Sequence, residues 1–187
     1  KKGKYPAVVL ISGSGPQDRN EELLGHKPFL VLADYLTRNG YIVLRFDDRG
    51  TFKSGGDFKT ATSFDFANDV NAAVKFLQSR PDVDVKNISL IGHSEGGIIA
   101  PIVAASNKKI KFIVMLAGAS VNGSQIMIDQ EKLIGKVNGM SDDDINKTVA
   151  INTEIYRIIS NTTDKNKLKE QLTSYLLEKA SEFPAGS

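Results

Sequence analysis

The chain has 187 residues, of which 41% are hydrophobic and 25% charged, and a formal net charge of +2. That length supports one domain with a proper buried core and is short for two. The absence of cysteine excludes disulfides, thiol catalysis and thiolate metal sites. The lysine clusters Lys1-Lys2-Gly3-Lys4 and Lys108-Lys109-Ile110-Lys111 are too short to argue for nucleic acid or a membrane surface, and no apolar run approaches a membrane span.

Ala7-Val8-Val9-Leu10-Ile11 is a nearly all-apolar run, which predicts a central parallel strand covered on both faces. A loop rich in Gly, Ser and Pro follows over residues 12–20. Helical spacing of Phe29, Leu32, Ala33 and Leu36 predicts a helix over residues 28–39, with Pro28 near its start and Gly40 just past its end. Residues 41–46 read as the next strand and 47–62 as a loop of Asp, Gly, Lys and Ser. Ser63 is expected to cap a helix that reaches Ser79 and carries Phe66, Val70, Ala73, Val74 and Leu77 on one face. Residues 88–91 read as a strand, 97–105 as an apolar helix and 112–116 as a further strand. The alternation predicts an α/β fold with a doubly wound, mainly parallel sheet over residues 1–118. Beyond Gly118 no strand is expected. Residues 125–137, 141–160 and 164–179 read as amphipathic helices, with Ser141 and Asp164 as caps, so 119–187 forms a separate helical region.

Gly92-His93-Ser94-Glu95-Gly96 falls between a predicted strand and a predicted helix. In a nucleophile elbow the serine occupies a strained turn in that context, and its hydroxyl stands clear of the sheet. Gly92 and Gly96 flank Ser94 because the turn brings backbones too close for a β-carbon. The helix that follows aims free N–H groups and the positive end of its dipole at the reacting centre. A second N–H donor is needed from the loop after an earlier strand. Ser12-Gly13-Ser14-Gly15-Pro16 lies there. The oxyanion hole is therefore assigned to the backbone N–H groups of Ser14 and Glu95, with Gly15 as the alternative if the loop is shifted by one. Gly13 and Gly15 also begin like a dinucleotide-binding fingerprint, but Asp18 stands at the third glycine position and Pro16 inside the phosphate turn. Residues 50–54 lack the glycine spacing of a Walker A loop.

On these stretches the sequence resembles bacterial α/β-hydrolases of the esterase, serine-aminopeptidase-like and acyl-thioesterase-like groups. The resemblance rests on Gly13-Ser14-Gly15-Pro16-Gln17-Asp18-Arg19, Phe46-Asp47-Asp48-Arg49-Gly50 and Gly92-His93-Ser94-Glu95-Gly96-Gly97, and covers about residues 5–118. It implies that Asp48-Arg49-Gly50 with Ser54 belongs to a supporting loop near the site's mouth, although Phe52 stands where glycine is common. It also implies that the helices after Gly118 are a cap inserted over the site, and that the hydrolase core in this chain is incomplete.

The fold orders its triad as Ser, then Asp or Glu, then His. The two histidines, His26 and His93, both precede Ser94. His93 neighbours the nucleophile on a tight turn, where its ring is expected to point away and pack beside the elbow. His26 reads as a surface or helix-start residue, and chain order argues against it as the base. The acids after Ser94, including Asp129, Asp142, Asp143, Asp144, Glu154 and Asp164, lie on predicted helices or caps rather than after a sheet strand. The expectation is therefore an internal piece of a longer hydrolase, with its acid and histidine beyond Ser187 and with little activity of its own. The expected chemistry is cleavage of a small-molecule carboxylic ester through an acyl-enzyme on Ser94. No metal or organic cofactor is implied, and no nucleic-acid partner. Amide and thioester substrates use the same machinery. A different class of reading is a binding domain that kept the fold and lost the base.

Overall fold

The computed structural model describes residues 3–180. The tail Phe183-Pro184-Ala185-Gly186-Ser187, whose native origin the sequence leaves open, lies outside the described residues. The chain divides into two compact units, Lys1–Ser120 and Val121–Ser187.

The first unit contains β1 (Tyr5–Ile11), α1 (Pro28–Arg38), β2 (Ile42–Leu44), α2 (Ser63–Ser79), β3 (Val83–His93), α3 (Gly96–Ser106) and β4 (Ile110–Leu116). The four strands form a sheet in the order β2-β1-β3-β4, with every neighbouring pair parallel. β1 explains why both faces must be covered. Its Ala7, Val9 and Ile11 pack with Val70, Val74 and Leu77 of α2 and Ile99, Ala100 and Val103 of α3. Its Val8 and Leu10 point the other way and pack with Phe29, Leu32 and Leu36 of α1. The period-2 alternation of a strand thus supplies two cores from one apolar run. This is the doubly wound arrangement expected from the sequence.

Several boundaries differ from the sequence reading. Thr62, not Ser63, caps α2: its hydroxyl accepts from Asp65 N–H while the Asp65 carboxylate accepts from the Thr62 backbone, a reciprocal capping box. β3 begins at Val83 and is 11 residues long, because Val83 pairs with Tyr5 ahead of a register shift. β2 is shorter than expected, since its partner among the described residues, β1, is matched at Ile42, Val43 and Leu44.

The second unit is helical: α4 (Gly123–Val137), α5 (Asp142–Asn161) and α6 (Lys165–Lys179). Asn122, Ser141 and Asp164 cap them, each side chain accepting a backbone N–H three residues on. Gly135 of α4 lies against Ile145 of α5, where a β-carbon would come within 3.0 Å of the isoleucine side chain. Ile145, Ile151 and Ile158 of α5 are buried.

Candidate active site

Strand order locates the site before any side chain is considered. The chain passes from β1 to β2 on one side, then crosses to β3 on the other side of β1. The carboxyl ends of β1 and β3 therefore flank a topological switch point, where open α/β sheets bind ligands. Ile11 and Gly92 pair at these ends. The loop from Ser12 and the turn at Ser94 leave from there.

Ser94 has φ +50°, left-handed backbone that costs a non-glycine residue about 1–2 kcal/mol. The turn persists because its surroundings over-determine it. Ser94 N–H donates to Leu116 O at 2.9 Å, and Ser94 O accepts from Gly97 N–H at 2.9 Å. A β-carbon on Gly92 would overlap the Gly96 carbonyl, and one on Gly96 would overlap the Ile11 carbonyl. Both positions are thus held to glycine by close approach, as the motif requires. Among the described residues, the Ser94 hydroxyl has no hydrogen-bond partner, nor do the backbone N–H groups of Ser14, Gly15 and Glu95. The Glu95 side chain is turned aside: its Oε1 accepts from the Ser63 hydroxyl at 2.7 Å. Ser63 therefore steadies the start of α3 rather than capping α2.

The loop after β1 is fastened from below by Asp47 and Asp48. Asp48 accepts from the Ser12 hydroxyl at 2.7 Å and from Gln17 N–H at 3.0 Å. Burial pushes its carboxyl up, opposed by those two hydrogen bonds. Asp47 is buried and takes Arg19 in a two-pronged pair at 2.9 and 2.7 Å, together with the backbone N–H of Arg19 and Lys53. The Arg19 side chain, followed by these backbone donors, holds the Asp47 carboxyl well below the usual carboxylate range against the cost of its burial. Arg49 makes a similar two-pronged pair with Asp69 of α2 at 2.7 Å. Phe52 has φ +42°, the conformation glycine would adopt freely at that position.

Ser94 opens into a cleft of about 390 Å³ within the first unit. Its polar wall includes Gly13, Ser14, Glu21, His26 and His93, and its apolar wall Leu23, Leu24 and Pro28. Gly13 lies directly against the turn: a β-carbon there would sit 3.2 Å from Ser94 Cβ and 3.3 Å from His93 Nδ1. The structure thus brings together Ser14, Ser94 and both histidines. The sequence reading missed Glu21. Its Oε1 lies 2.8 Å from His93 Nδ1 and accepts Gly13 N–H at 2.7 Å. A single glutamate in a polar loop carries no sequence signal for such a role. His26 closes a short turn through paired backbone bonds with Leu23 at 2.9 and 3.0 Å. Among the described residues, no group of three or more His, Cys, Asp or Glu side chains is placed to hold a metal, and no helix is long and apolar enough to cross a membrane.

The family described as serine aminopeptidase S33 matches residues 27–169. The chain belongs to this family of α/β-hydrolases. This S33-family chain is 37% identical over 133 residues to esterase EstD of Thermotoga maritima, covering 71% of the chain and 31% of EstD. Among solved structures, it resembles the Pyrococcus furiosus esterase Pf2001 at 26% identity and a TM-score of 0.55, covering 72% of this chain and 49% of that one. It also resembles Est1E of Butyrivibrio proteoclasticus, solved with ferulic acid, at 26% identity and a TM-score of 0.53, covering 75% and 51%. The S33-family chain therefore spans about a third of its curated relative and about half of these solved relatives. Its α/β-hydrolase fold and esterase-like kinship agree with the sequence reading.

Proposed function

We propose that the natural protein hydrolyses small-molecule carboxylic esters and that Ser94 is its nucleophile. The observation that carries this reading is the left-handed backbone of Ser94 at the carboxyl end of β3, opening into the switch-point cleft. Ser94 Oγ attacks the ester carbonyl and gives up its proton to a base. The tetrahedral oxyanion is received by the N–H groups of Ser14 and Glu95, which are unpaired among the described residues. Collapse expels the alcohol, and water hydrolyses the acyl-enzyme by the reverse sequence. Removing one such donor typically costs on the order of 10²–10³ in kcat. The base is not found among the residues after Ser94, which include no histidine. In this reading the base and its acid come from polypeptide other than these 187 residues. No cofactor takes part.

The apolar wall of Leu23, Leu24 and Pro28 favours a substrate with an apolar group beside the carbonyl. Amide hydrolysis is the second reading, favoured by the family description as serine aminopeptidases. Turnover of p-nitrophenyl butyrate, an aminoacyl p-nitroanilide and an acyl-thioester by the natural protein separates these. The proposal expects the ester to be fastest, with loss of activity in Ser94→Ala. Activity confined to the anilide moves the assignment to a peptidase. A folded protein inert to all three and to a fluorophosphonate favours a binding domain.

A further inference from the structure

We infer that Glu21 is a positioning residue that sets the distance between the oxyanion-binding loop and Ser94; this rests on the reading of Ser94 as the nucleophile. The Glu21 side chain is 8% exposed and sits at the wall of the cleft. Burying a carboxylate is costly unless its oxygens are hydrogen-bonded. Here one oxygen, Oε1, meets two partners: Gly13 N–H at 2.7 Å and His93 Nδ1 at 2.8 Å. Gly13 immediately precedes Ser14, the assigned donor. His93 immediately precedes Ser94, the assigned nucleophile. A single atom thus ties together the residues before the two groups that must meet across the reacting carbonyl.

The geometry is maintained against strain. Glu21 has φ +52°, which a side chain with a β-carbon rarely adopts. Its backbone N–H donates to Asp18 O at 2.9 Å, and the Asp18 carboxylate accepts from Asn20 N–H at 3.0 Å and Glu22 N–H at 2.9 Å. This short loop holds Glu21 where no local preference would put it. A carboxylate oxygen that accepts at this contact needs a proton on His93 Nδ1, so the ring is held by its Nδ1 edge. The clamp leaves Ser14 N–H unpaired among the described residues, which an oxyanion donor requires.

The test uses the natural protein with Ser94 counted by active-site titration, so that kcat is expressed per working site. Glu21→Ala is expected to lower kcat about 10- to 100-fold with KM within roughly threefold, because the misplaced donor acts on the transition state rather than on bound ester. A trifluoromethyl ketone reads the same geometry: Ser94 Oγ adds to its carbonyl carbon and leaves an oxyanion where the tetrahedral intermediate has one. Its Ki should weaken by the same factor as kcat. Glu21→Gln keeps an acceptor oxygen and should recover most of the loss. Lower thermal stability with unchanged kcat per site and unchanged Ki would make Glu21 merely structural and overturn the inference. Should Glu21→Ala fail to fold, Glu21→Asp, one methylene short, must lower kcat and weaken Ki together; no change in either overturns it. If the unsubstituted protein is labelled at Ser94 while Glu21 variants behave like it, only the Glu21 assignment fails. If Ser94→Ala retains hydrolysis, the reading beneath it fails as well.

Discussion

Replacing Ser94 by glycine and by alanine separates the strain of its backbone from the chemistry of its hydroxyl. Both substitutions remove the hydroxyl oxygen, so both abolish turnover if Ser94 is the nucleophile. They differ in the β-carbon. At φ +50° that atom costs about 1–2 kcal/mol, which glycine escapes. Glycine loses roughly 0.5–1 kcal/mol more backbone entropy on folding. The net preference for glycine over alanine is about 0.5–1 kcal/mol. For a protein of this size that corresponds to about 1–4 °C in Tm. Differential scanning calorimetry of the two variants, with urea midpoints as a check, reads the difference directly. Ser94→Gly melting at or below Ser94→Ala would refute the strained turn, and with it the argument that this backbone is held in place for function.

Phe52 is 72% exposed at φ +42°, so Phe52→Gly removes strain while burying nothing less. It should stabilise the protein by about 0.5 kcal/mol in urea denaturation; a loss of stability would mean that the ring packs in a way its exposure denies. Asp47→Ala should cost about 2–3 kcal/mol at pH 7, because it orphans the Arg19 and Lys53 donors around a buried carboxylate. The folded carboxyl titrates below its unfolded value near 4. Its contribution is therefore complete above that value and is lost as pH falls through and below it. The stability gap between Asp47→Ala and the unsubstituted protein should narrow between pH 4 and pH 2, and a gap constant over that range would count against the ion pair.

Much of the first unit could be read from sequence because its signals are local. The apolar run of β1, the spacing along α1 and α2, and the glycines around Ser94 each report their own surroundings. The start of β3 was hidden because Asp84, Lys86 and Asn87 dilute its apolar pattern, while Val83 joins the sheet only through Tyr5. The Thr62 cap was legible in principle, since Asp65 stands three residues on, as a capping box requires; the hydroxyl of Ser63 competed for the assignment. The expectation that His93 packs beside the turn left its partner unnamed. That partner, Glu21, lies 72 residues away, and no periodicity or motif links the two. Asp48 was expected as support near the mouth, but its grip on Ser12 and Gln17 is likewise a contact between distant segments. Tertiary contacts of this kind leave no trace in a single sequence.

The central claim is that Ser94 is the reacting atom's owner. A fluorophosphonate probe incubated with the folded natural protein, followed by digestion and mass spectrometry of the modified peptide, tests it most directly. A single stoichiometric adduct is expected on Ser94, in the peptide containing Gly92-His93-Ser94-Glu95-Gly96, absent after heat denaturation and absent in Ser94→Ala. Stoichiometric modification of a different serine, or a folded and unreactive Ser94 in a protein that still hydrolyses esters, would contradict it.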